Sequence, residues 1–142
     1  LKFNVDTVQK ILAEYLEAEQ RLKELAQLPL PDLAGDPHKI ASAKYHLIIA
    51  IEAAIDICNH IIAKNNLRVP EDYADTFKVM VENQLITEDF CSNLTKMARF
   101  RNRLVHRYWD IDTQQLYNIL KNNLVDLDRL LHEIRTNLAR FK

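Results

Sequence analysis

A single glycine, Gly35, in 142 residues is the feature that most limits what this chain can fold into. Glycine and proline make the tight turns from which small sandwiches and barrels are built, and there are only four prolines. Such a chain must spend its length in long helices joined by few connections. Apolar residues make up 48% of it, enough for the core of one domain. The expectation is one all-α domain over residues 1–142, an antiparallel bundle of four long helices plus one short helix.

Periodicity places the elements. A first helix is predicted over Val5 to Leu28, with Val8, Leu12, Tyr15, Leu22 and Leu25 on its apolar face. LPLPDLAGDP then reads as a loop. A second helix over Lys39 to Asn65 repeats Leu47, Ile51, Ala54, Cys58 and Ile61 at 4-3-4-3 spacing, widened by Ile48, Ile55 and Ile62, and is therefore expected at the centre. Its opposite side carries Glu52, Asp56, Asn59 and His60. A short helix follows Pro70, within EDYADTFKVMVEN. Thr87 reads as the cap of a fourth helix with Phe90, Leu94, Met97 and Leu104 facing inward. Asp112 or Thr113 caps a last helix whose seam is Leu120, Leu124, Leu127, Leu131, Ile134 and Leu138.

Several function classes drop out at this stage. The net charge of −1 gives no global attraction to nucleic acid, so any polyanion site must be a local patch. No apolar run reads as a membrane span and no segment as a signal peptide; a cytoplasmic protein without membrane partners is expected. Cys58 and Cys91 form no CxxC pair and read as reduced thiols. Asp56 with His60, or His46 with His60, lacks a third ligand at convincing spacing, so no metal is expected. Without a glycine-rich phosphate loop, no nucleotide cofactor is expected either.

The local patch is RFRNRLVHRYWD, residues 99–110. From Lys96 to Trp109 there are five basic residues, Lys96, Arg99, Arg101, Arg103 and Arg107, and no acidic one. Guanidinium groups can hold phosphate in bidentate fashion, and Tyr108 and Trp109 can stack on bases. A solvated basic face with two packed aromatics accounts for the same residues. His106 adds a group that titrates near neutral pH and can pass protons either way. RNA carries its own nucleophile, the ribose 2′-hydroxyl, so one base and one cation for the crowded phosphorane suffice. Arg101 and His106 are five residues apart, which on a regular helix is about 140°. To meet at one phosphate, the helix must end between them or two chains must contribute.

RNRLVHRY, that is Arg101-Asn102-x3-His106-x-Tyr108, resembles the R-x4-H-x-Y signature of the HepT toxin family, within the HEPN ribonuclease superfamily. IIAIEAAIDICNHIIAKN is similar to the family's second helix, and VPEDYADTFKVMVENQLI with LTKMARFRNRLVHRYWDID to its run into the catalytic turn. Asn83 departs from the pattern, standing where many relatives carry glycine. The resemblance implies a dimerising HEPN-like bundle, a metal-independent endoribonuclease with the motifs of two chains meeting across the interface. It also implies a minimal nucleotidyltransferase antitoxin that transfers AMP to the motif tyrosine. On this sequence Arg101 would polarise the scissile phosphate and His106 would be general acid or base. Asn102 would orient the phosphate or the arginine, and Tyr108 would accept AMP and help bind RNA. Arg103 and Arg107 are candidate RNA contacts and Asp56 a candidate anchor for Arg101. The alternative reading is a catalytically silent helical dimer that scaffolds a nucleotidyltransferase.

Overall fold

The computed structural model describes residues 1–140, leaving aside the side chains of the last two of these. Among the described residues there are seven α-helices and no strand: α1 (Val5–Ala26), α2 (Leu30–Ala34), α3 (Pro37–Lys64), α4 (Tyr73–Glu82), α5 (Cys91–His106), α6 (Thr113–Asn122) and α7 (Leu124–Arg140). Short 3-10 turns, Glu88–Phe90 and Tyr108–Asp110, flank α5. The bundle and its central helix match the expectation from periodicity.

Caps set the helix starts. The Asn4 side chain accepts from the Thr7 amide at 3.0 Å, Asp72 from Asp75 at 2.7 Å, and Asp112 from Gln115 at 2.7 Å. Asp36 accepts from the His38 amide at 2.9 Å, and Pro37 follows it with a preset φ, so α3 starts two residues earlier than Lys39. α3 packs against all six other helices. Ala43, Ala50, Ala53 and Ala54 are buried along it and let neighbours approach closely. α3 is also long and apolar enough to cross a membrane, contrary to the expectation that no run is. Most of that span is buried inside the bundle, as in a core helix.

Three further expectations change. LPLPDLAGDP holds the one-turn helix α2, because Pro31 is accommodated in a first turn where its missing N–H has no partner to lose. Thr87 does not cap α5; its hydroxyl donates to Glu133 of α7 instead, and α5 starts from a 3-10 turn. The last helix is two helices. Asn123, a poor helix former, interrupts it, and its side chain donates to Asp126 at 3.2 Å. The apolar seam continues across the break: Leu120, Leu124, Leu127, Leu131, Ile134 and Leu138 are all buried.

Candidate active site

The phase of α5 determines the site. Leu94, Met97, Ala98 and Leu104 are buried on its inner face, and Arg101 falls in the same 3-4-3 register. An arginine in an apolar seam needs a counter-charge. Glu52 of α3 supplies it: Arg101 Nε donates to Glu52 Oε1 at 2.9 Å, and Nη2 donates to the same oxygen. Nη1 donates to Asn102 Oδ1 at 3.1 Å. The guanidinium lies over the Tyr73 ring, 4.8 Å from its centroid, which fixes its plane. Guanidinium has five N–H donors. Three are used, and one on each terminal nitrogen has no partner among the described residues. That pair is the fork with which arginine grips a phosphate.

His106 is the last residue of α5 and is exposed. The helix does not end between Arg101 and His106, so in one chain their side chains leave α5 about 140° apart. Tyr108 opens the 3-10 turn beyond the helix and is partly exposed; Trp109 is 77% exposed, so neither is the packed aromatic that the sequence also allowed. Tyr108 is held from α3. Lys44, only 7% exposed, donates to the Tyr108 carbonyl at 3.0 Å and stands 4.2 Å from its ring centroid. The basic stretch is not one patch. Arg103 lies two residues from Arg101, about 200° around the helix, and donates to Gln115 of α6 at 3.3 Å. Arg107 is exposed and ion-paired with Asp110 at 2.5 Å.

A model of the family described as Ribonuclease HepT-like matches residues 15–134. The chain belongs to the HepT-like family. It is 33% identical over 84 residues to the mRNA nuclease HepT of Shewanella oneidensis, a match covering 59% of this chain and 63% of that protein. It is 26% identical over 137 residues to the tRNA nuclease HepT of Aphanizomenon flos-aquae, covering 94% of this chain and 89% of that one. Among solved structures, a tri-AMPylated Shewanella oneidensis HEPN toxin in complex with MNT antitoxin superimposes with a TM-score of 0.85 at 26% identity, over 94% of this chain and 99% of that one. A toxin–antitoxin solved with AMP-PNP gives 0.85 at 25% identity, over 92% and 98%.

In this HepT-like chain the arginine anchor is Glu52 and not Asp56. Asp56 is exposed and makes no hydrogen bond to Arg101 among the described residues. Its nearest charges include Glu14 of α1 as well as Glu52. Partial desolvation of the carboxyl, then those two carboxylates, raise its pKa, against a lowering by Arg101. Glu52 stood on the polar face read from the sequence, one turn before Asp56. Tyr73 and Lys44 carried no signal beyond their types, although Arg101 in register with Leu94, Met97 and Leu104 was readable as an inward cation. His60 accepts from the Asn4 amide at 2.9 Å, and burial, then Lys64, lower its pKa. Among the described residues no three His, Cys, Asp or Glu side chains converge as metal ligands.

Proposed function

We propose that this chain is the toxin of a toxin–antitoxin pair, an endoribonuclease acting through Arg101 and His106 and silenced by AMP transfer to Tyr108. The carrying observation is the Arg101 guanidinium, locked by Glu52 and Tyr73 with a donor fork left open. In the reaction His106 takes the proton of a ribose 2′-hydroxyl, whose oxygen attacks the adjacent phosphorus. The fork of Arg101 holds the phosphorane oxygens, and the departing 5′-oxygen takes the proton back from the His106 imidazolium, which returns to the neutral base. The products are a 2′,3′-cyclic phosphate and a 5′-hydroxyl. All these steps run through this chain's side chains and the substrate.

The divergence of Arg101 and His106 supports a site shared by two chains, Arg101 from one and His106 from the other. Exposed Val105, Tyr108 and Trp109 around His106 supply apolar surface suited to such a contact. The partly exposed Tyr108 fits the acceptor role, and the tri-AMPylated neighbour in complex with its MNT antitoxin supports a nucleotidyltransferase partner. AMP on Tyr108 would bring a phosphate to the turn that follows His106 and compete with RNA there.

The test is RNA cleavage by Arg101→Ala and His106→Ala, separately and mixed. Each alone should be inactive, with unchanged helical circular dichroism. In a two-fold dimer of the mixed variants, each heterodimer has one intact shared site, so about a quarter of wild-type activity should return. Zero recovery after subunit exchange would refute the shared site, and undiminished cutting by His106→Ala would refute its role. With a nucleotidyltransferase partner, wild type should gain AMP mass and Tyr108→Phe should not. A silent scaffold would cut no RNA in any form.

A further inference from the structure

Three of the five cations do not face Arg101. Lys96, Arg99 and Arg103 follow one another on α5 at spacings of three and four, and His106 continues the run by three more. The four therefore lie along one stripe about 15 Å long that ends at the candidate catalytic imidazole. The first three line a cleft of roughly 290 Å³ between α5 and α6, floored by Phe100 and walled by Gln115 and Asn123. No acidic side chain lines it. Among the described residues none of the three cations has a carboxylate partner, whereas Arg68, Arg101, Arg107 and Arg129 all do. Arg103 meets the Gln115 amide and lies 6.0 Å from the Phe100 ring centroid.

We infer that this cleft is a binding track for the RNA backbone, seating the phosphates next to the scissile one on Lys96, Arg99 and Arg103 and leading the strand to His106. The inference rests on the ribonuclease reading above and adds where the rest of the substrate lies. A run of uncompensated cations beside amide groups suits a chain of singly charged phosphodiesters, which needs repeated contacts and no deep pocket. Phe100 is buried and Arg103 lies over its ring, which leaves little aromatic face for a base, so the track holds backbone and carries little base preference. The strand would approach along α5 of the chain giving His106 and meet Arg101 of the other chain.

The experiment uses Lys96→Ala/Arg99→Ala in two arms. In the first, binding of a single-stranded RNA oligonucleotide is measured in the His106→Ala background across a salt series. The slope of log affinity against log salt should fall by about 0.7 for each cation removed, so by about 1.4 for the pair. In the second, cleavage kinetics of the double variant on the same oligonucleotide should show KM raised at least tenfold and kcat lowered less than threefold. The KM effect should shrink on a dinucleotide too short to reach Arg99. An unchanged salt slope and KM would overturn the track. A variant that binds RNA normally but no longer binds the nucleotidyltransferase would overturn it too, reassigning the cleft to protein docking. If wild type cuts no RNA while the salt slope still falls in the variant, the cleavage reading has failed and the track stands as an RNA-binding surface.

Discussion

Replacing Glu52 by alanine tests whether the position of Arg101 matters or only its charge. Two guanidinium nitrogens donate to one Glu52 oxygen, and the Arg101 side chain is 14% exposed against 34% for Glu52. Hydrogen bonds to charged groups contribute about 1.5–3 kcal/mol each when shielded. A third of the carboxylate faces water, which reduces that figure, while the arginine left behind is largely enclosed. The net loss should be about 2 kcal/mol, or roughly 4–8 °C in Tm for a domain of this size. Freed from Glu52, the guanidinium keeps only the Tyr73 face and Asn102, and can swing. A misplacement of about 1 Å at a reacting phosphate costs on the order of 100-fold, equivalent to about 2.7 kcal/mol of barrier. Glu52→Gln keeps the acceptor oxygen and should fall between. Thermal unfolding by circular dichroism and kcat/KM on RNA measure the two effects. Unchanged Tm in Glu52→Ala would show that the pair does not form; a lowered Tm with wild-type cleavage would refute its positioning role.

Lys44→Met should keep the packing of the stem but free the Tyr108 turn, with amide hydrogen exchange in residues 107–110 rising about tenfold and Lys44→Arg restoring part of the protection. The Asn4–His60 contact should be pH-sensitive: burial and Lys64 lower the folded pKa of His60, so its contribution is complete above 6.5 and is lost as pH falls through the folded value. Exchange of the Asn4 amide should therefore speed up relative to the α1 amides as pH falls well below 6.5, and protection unchanged from pH 8 down to the onset of acid unfolding would count against it. Cys58 is fully enclosed and its thiol is pushed up to about 12, so a disulfide reagent at pH 8 should label Cys91 readily and Cys58 only on unfolding.

Much of the fold was legible because burial repeats along the chain. The α3 stripe of Leu47, Ile51, Ala54, Cys58 and Ile61 and the terminal leucine seam are all buried where their spacing requires. The α6–α7 break was not legible, since the seam crosses Asn122 and Asn123 without losing register. The motif residues were readable by type, but their partners were not. Lys44 and Glu52 lie 64 and 49 residues before the groups they hold, and one turn separates Glu52 from Asp56. Which acid reaches the arginine depends on the relative phase of α3 and α5, and only packing sets that phase. The sequence also grouped five cations that the helix divides: Arg101 faces inward to α3, Lys96, Arg99 and Arg103 face α6, and Arg107 lies past the end.

That division gives the five-residue spacing a physical meaning. Leu104, fully buried, lies between the two functional residues and locks the rotation of α5. With Leu104 inward, Arg101 three residues before it falls on the core edge, where a carboxylate and an aromatic face can hold it rigid. His106, two residues after it, points to solvent at the helix end, beside a turn that Lys44 fixes. A spacing of three or four would put both groups on one face and make a site within one chain. Five separates a rigid, enclosed cation from an exposed imidazole, and under the shared site proposed above a second copy would bring each its complement. Leu104→Ala therefore bears on more than the roughly 2–5 kcal/mol usually lost with a buried leucine. It loosens the rotation that assigns Arg101 to the inside and His106 to the outside, and with it the geometry on which a shared site depends.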